Sequence, residues 1–135
     1  MEQGRGKHLA LILARELAAN VATPMLIVDP DAVLVYFNEP AEFLLGEAFS
    51  STGEMPVAKW GTRYMPERLD GTPYELGDFP LATALVERRP AHDTFRFTGA
   101  DHVVRVVTAA AYPLLVSDNA FAGAVAVFWE KSRER

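Results

Sequence analysis

Residues 25–41 read Met25-Leu26-Ile27-Val28-Asp29-Pro30-Asp31-Ala32-Val33-Leu34-Val35-Tyr36-Phe37-Asn38-Glu39-Pro40-Ala41. Two apolar runs, Met25 to Val28 and Val33 to Phe37, flank Asp29-Pro30-Asp31-Ala32, whose Pro and Asp residues favour a tight turn. The stretch therefore predicts a β-hairpin. Asn38 suits a helix N-cap, because its side-chain oxygen can accept from an orphan backbone N–H. Glu39-Pro40 suits a first turn, where proline's missing donor is not needed. Ala41, Leu44 and Leu45 would then face inward on a short helix ending at Gly46.

Upstream, His8 to Asn20 places Leu9, Ile12, Leu13 and Leu17 at i, i+3, i+4 and i+8, which predicts an amphipathic helix. Thr23-Pro24 stops it, since the residue before proline is pushed out of the helical region. Downstream, Glu47 to Gly77 is punctuated by glycine and proline around Trp60, Tyr64 and Met65. So long a connection is expected to carry function or short helices of its own. Asp78-Phe79-Pro80 starts another helix, with Leu81, Ala84 and Leu85 on one face, and Arg88-Arg89-Pro90 closes it. The last third predicts three strands, Ala91–Thr98, Val103–Leu115 and Phe121–Glu130, joined by turns at Gly99-Ala100-Asp101 and Ser117-Asp118-Asn119. Connections this short imply an antiparallel meander. The class is α+β, in the order helix, two strands, helical middle, three strands.

Composition bounds the rest. With 135 residues the chain is one domain, able to bury roughly two-thirds of its unfolded surface. There is no cysteine, which removes thiolate nucleophiles, disulfides and Cys-ligated metals. A net charge of −5 without a clustered basic patch argues against a nucleic-acid partner. No apolar run approaches the ~20 residues of a membrane span. Arg15 and Glu16 interrupt the only apolar stretch that could imitate a secretory signal, so a cytoplasmic location is expected.

The hairpin Met25–Asp29 to Val33–Phe37, running directly into Asn38-Glu39-Pro40-Ala41-Glu42-Phe43-Leu44-Leu45-Gly46, resembles the opening of a PAS domain. Asp70-Gly71-Thr72-Pro73, followed by Phe79-Pro80-Leu81-Ala82-Thr83-Ala84-Leu85, is similar to a second stretch common in bacterial PAS domains. The resemblance spans residues 15 to 130. It implies a five-stranded antiparallel sheet in the order 2-1-5-4-3, with helices over one face enclosing a small-molecule cavity. It also implies that the N-terminal helix and the other sheet face form a homodimer, for which Leu9, Ile12, Leu13 and Leu17 are the expected contacts. The corresponding division is an N-terminal helical cap at 1–22, a PAS domain at 23–130, and a charged tail or linker start at 131–135.

Known PAS cofactors can be tested on this sequence. The covalent flavin adduct and the thioester chromophore each need a cysteine, and neither can form here. The haem type needs an axial histidine, usually on the helix before the third strand, but the chain's three histidines are His8, His92 and His102. His92 beside Asp93 points to the opposite strand face and reads as a solvated side chain. A non-covalent flavin, or haem held by His92, is left as a residual alternative.

The period-2 pattern makes both faces of the last two strands apolar, so both must be covered, by the leading helix or by a second subunit. The small residues Ala109, Ala111, Ala122, Ala124 and Ala126 let a helix or a ligand approach closely. Arg105 interrupts an apolar face and requires either an acidic partner or an anionic ligand. Tyr36, Trp60, Tyr64, Thr94 and Tyr112 complete the candidate ligand-binding set, since aromatic walls with a few polar tips suit small-molecule pockets. No catalytic or metal-ligating set is expected.

The expected function is a non-catalytic sensory module that binds a small ligand or protein partner and relays a conformational change. Its effector, a kinase, phosphatase or transcription regulator, would lie outside this sequence. Two alternatives stand beside it. One is a small cone-shaped α+β enzyme of the isomerase or hydratase kind, for which Asp93 is the only acid embedded in the last three strands. The other is a dimerisation module without a ligand.

Overall fold

The computed structural model describes residues 2–116 and 120–131, with side chains from Leu9 onward. The expected turn at 117–119 and the charged tail beyond Lys131 lie outside the described residues.

The chain opens with α1 (Glu2–Ala19) and the hairpin β1 (Met25–Val28) and β2 (Leu34–Phe37). It continues through α2 (Glu39–Leu45), α3 (Phe49–Thr52), α4 (Val57–Arg63), a 3-10 turn at Leu76–Asp78 and α5 (Pro80–Val86). It closes with β3 (Ala91–Thr98), β4 (Val104–Val116) and β5 (Ala120–Glu130). The five strands form one antiparallel sheet in the order β2-β1-β5-β4-β3.

Local chemistry explains where elements start and stop. The Asp29 carboxylate accepts from Asp31 N–H at 2.9 Å and from Val33 N–H at 3.0 Å. This commits the Val33 donor to the turn, and β2 begins one residue later than the hydrophobic pattern suggests. Asn38 caps α2 by accepting from Ala41 N–H at 3.1 Å, and Gly46 ends the helix in the left-handed conformation, φ 77°.

The long middle segment is organised by borrowed partners. The Glu42 carboxylate accepts from Phe49 N–H at 2.9 Å and so caps α3. Leu34 and Met55 exchange backbone hydrogen bonds, and the same exchange between Glu67 and Arg96 lays a strap along the free edge of β3. That contact occupies edge groups that would otherwise template another strand.

β5 is the central strand, and Gly123 lets it pass β1. Its φ is +123°, and a Cβ there would run into the Val28 carbonyl. The two sheet faces are covered differently. On the inner face, Phe97, Val107, Ala109, Ala126 and Phe128 are buried beneath α2, α4 and α5. On the outer face, Met25, Ile27 and Val125 receive Ala18 of α1, with Leu11 and Ala14 packed alongside. These α1 residues follow i, i+3, i+7 spacing, a different face of the helix from Leu9, Ile12, Leu13 and Leu17, which are 55%, 46%, 59% and 60% exposed. The helix therefore carries two apolar faces, one docked and one free. No helix among the described residues is long and apolar enough to cross a membrane.

Candidate functional site

A cavity of about 110 Å³ lies between the inner sheet face and the helices. Its floor is Leu26 of β1, Phe95 and Phe97 of β3, Val107 and Ala109 of β4, and Ala126 and Phe128 of β5. Leu45, Trp60, Tyr64 and Leu81 close it from the helical side, with Pro66 and Phe79 at the strap. Ala109 and Ala126 contribute only a methyl group each to this floor, so the space above them is left to the larger side chains around it.

Two lining residues have polar tips, and both tips are already matched. The Trp60 indole N–H donates to the Ala32 carbonyl at 2.8 Å. The Tyr64 hydroxyl donates to the Glu47 carboxylate at 2.7 Å. Glu47 also receives Arg63 through Nε and Nη2, at 2.6 and 2.7 Å, so one carboxylate pins the end of α4 over the cavity. The Arg63 hydrogen bond, ahead of an opposing desolvation, holds the Glu47 carboxyl below its ordinary range. Desolvation and then the bond to Glu47 push the Tyr64 hydroxyl above its ordinary range, so it remains a donor.

The six residues expected to bind a ligand separate into three places. Trp60 and Tyr64 line the cavity. Tyr36 and Tyr112 lie on the outer face, Tyr36 packed near α1 under the Arg15 guanidinium and Tyr112 about half exposed. Thr94 also faces outward, its hydroxyl 2.9 Å from that of Thr108. Arg105 faces inward but has its own partners: it donates to the Leu44 carbonyl at 2.9 Å and pairs with Asp101 at 3.3 Å. It thereby satisfies a carbonyl at the C-terminal end of α2, where a cation is favoured, and ties the β3–β4 turn to that helix. That hydrogen bond to Arg105 is the leading cause holding the Asp101 carboxyl below its ordinary range.

Asp93 faces inward beside the cavity, where the Tyr74 hydroxyl donates to it at 2.6 Å. Among the described residues, no carboxylate, imidazole or amine side chain lines the cavity itself. Among the described residues, no group of three His, Cys, Asp or Glu converges as a metal site.

Phe79, Phe95 and Phe97 in the lining and Glu47 as an anchor are additions to the expected set. Aromatics with polar tips are the expected wall, whereas most of the observed wall is phenylalanine and aliphatic. The available signal was the inward parity of Phe95 and Phe97 facing the alanines of β4 and β5. Asn38 was legible as a cap but not as a joint. It is 1% exposed, donates to the Ala18 and Thr23 carbonyls, and accepts from Met25 N–H as well as Ala41 N–H. One side chain thus holds the end of α1, the start of β1 and the start of α2 together.

No protein-family model matches the chain, and no curated protein does. Solved structures do. A PAS domain from Colwellia psychrerythraea superposes with a TM-score of 0.62 at 13% identity, covering 90% of this chain and 96% of that one. The Rhodobacter sphaeroides LOV protein reaches a TM-score of 0.70 at 17% identity, covering 94% and 70%. The PAS domain of nitrogen regulation protein NR(II) from Vibrio parahaemolyticus gives 0.59 at 16% identity, covering 88% and 98%. The cofactors associated with such folds do not fit this cavity. A tricyclic flavin needs partners for its polar ring edge, and haem needs an axial ligand and room for a tetrapyrrole, whereas here the space is small and its lining offers no free polar group. Sheet order, strand directions, the helical cover and these superpositions lead to one conclusion: the chain has the PAS fold.

Proposed function

We propose that this chain is a sensory PAS module, non-catalytic itself, in which occupancy of the inner cavity biases the docking of α1. The observation that carries the reading is the joint at Asn38. Leu45 of α2 forms part of the cavity wall, Asn38 begins that helix, and the same Asn38 side chain holds the last turn of α1. A change in the cavity has a short, buried and fully hydrogen-bonded route to the N-terminal helix. In this reading residues 1–22 are a cap and 23–130 a sensing domain, with α1 as the moving part.

The readout surface is the free face of α1 together with the outer sheet face. Leu9, Leu13 and Leu17 are more than half exposed, and Tyr112 and Trp129 are 48% and 46% exposed. Scattered apolar residues are ordinary, but a helical stripe beside an open apolar sheet face suits a partner surface. A second copy of this chain is the proposed partner, and an effector outside this sequence would receive the signal in a cytoplasmic setting. Sedimentation equilibrium of the full chain tests this. A species of twice the 14.9 kDa chain mass is expected. A monomer at every concentration would remove the homodimer.

A further inference from the structure

We propose that the inner cavity is a site for one small, uncharged, apolar molecule about the size of a single benzene ring. This deepens the sensory reading and rests on it, because it names the chemistry of the effector.

Size sets the first limit. At about 110 Å³ the space is of the order of the ~150 Å³ apolar cavity known to accept benzene or xenon, and is too small for a fused-ring cofactor. Polarity sets the second. The lining is hydrocarbon apart from Trp60 and Tyr64, whose N–H and O–H groups are already donated to Ala32 and Glu47. No described buried side-chain polar atom is left without a partner to greet a ligand. A hydroxyl or carboxylate entering here would give up water and gain nothing in return. Water needs two to four polar partners to be held, so this lining gives water little purchase and filling by a ligand is governed by dispersion and apolar burial.

Charge gives the same answer. The inward-facing cation of β4, Arg105, is engaged by Leu44 and Asp101 at the end of α2, and the inward-facing acid of β3, Asp93, is engaged by Tyr74. Neither is among the lining residues. Of the lining residues Leu26, Tyr64, Pro66, Phe79 and Phe95 keep partial exposure, and Pro66 adjoins the strap, where entry is expected.

The test is a titration of the full chain with toluene, phenol, benzoate and naphthalene, followed by calorimetry and by methyl NMR of Leu26, Leu81 and Val107. Toluene is expected to bind with shifts centred on those methyls, and the other three at least tenfold more weakly. In Ala109→Leu and Ala126→Leu, whose added carbons occupy the same space, toluene affinity should fall at least tenfold while the melting temperature holds or rises. If neither variant folds, the methyl shifts in the unaltered chain decide. Phenol, benzoate or naphthalene binding as well as toluene, toluene binding equally to a folded filled variant, or no toluene binding would each overturn the proposal. Toluene binding that leaves α1 unaltered would support the ligand class and contradict the relay, which separates the two readings.

Discussion

On the inner face of the sheet, both polar tips that reach the cavity wall are matched within the protein, Trp60 to Ala32 and Tyr64 to Glu47. On the outer face, α1 covers Met25, Ile27 and Val125 and stops, leaving Tyr112, Trp129 and Val104 about half exposed. The inner face is finished as a core with a space in it, whereas the outer face is finished only where Ala18 and its neighbours touch it. Burial on both faces is apolar, so the difference lies in completeness. A helix-covered face with a small space beneath it suits a small molecule, and a broad uncovered one suits a large partner.

Truncation on each face should separate the two most strongly. Phe97→Ala should cost about 3–5 kcal/mol, through lost burial and an enlarged cavity. Trp129→Ala on the outer face should cost less than about 1 kcal/mol in the isolated chain. Urea unfolding of both variants checks this, and equal losses would mean that the faces are energetically alike.

The joint between the faces comes next. Asn38→Ala leaves the Ala18 and Thr23 carbonyls and the Met25 and Ala41 N–H groups without this partner. A loss of about 3 kcal/mol is expected. Hydrogen exchange should locate the loss in α1 and the first turn of α2; intact protection in α1 would show that its seat depends on apolar contact alone.

Glu47→Gln probes the anchor over the cavity, with an expected loss of about 1.5 kcal/mol for the weakened charged hydrogen bonds. The Glu47 carboxyl lies below its ordinary value in the folded chain, chiefly through Arg63, so the unfolded state takes up its proton first as pH falls. Its contribution is present at neutral pH and is lost as pH falls from the ordinary carboxylate range through the lowered folded value. Melting temperature against pH should fall less steeply for Glu47→Gln than for the unaltered chain over that window; parallel curves would remove Glu47 as a titrating anchor.

The smallest expected change in monomer stability, about 0.5 kcal/mol or less, belongs to Leu13→Asp combined with Leu17→Asp, because both side chains are about 60% exposed. Light scattering after size exclusion should nonetheless show the dimer mass lost. A dimer that survives both changes would place the contact elsewhere.

Much of the architecture was legible because turn and cap chemistry is local. Asp29-Pro30, Asn38, Gly46 and Pro90 punctuate the chain where the structure turns or caps. The strap at Glu67 and the capping of α3 by Glu42 were not, since each depends on a partner distant in sequence or on a loop shape without periodicity. The same distinction separates the candidate residues. Trp60 and Tyr64 fall in the punctuated segment that folds over the cavity, while Tyr36, Thr94 and Tyr112 lie on the outward parity of their strands. Arg105 shows the limit of single-residue reasoning. Its need for an acidic partner could be stated from the strand pattern, but Asp101 is brought to it by the β3–β4 turn.

The most direct measurement is hydrogen exchange of the full chain with the cavity filled by toluene and with it empty. Filling is expected to alter protection in the last turn of α1 and the first turn of α2, and Asn38→Ala to abolish the response in α1. Toluene held in the cavity with α1 exchange unchanged would contradict a relay through Asn38.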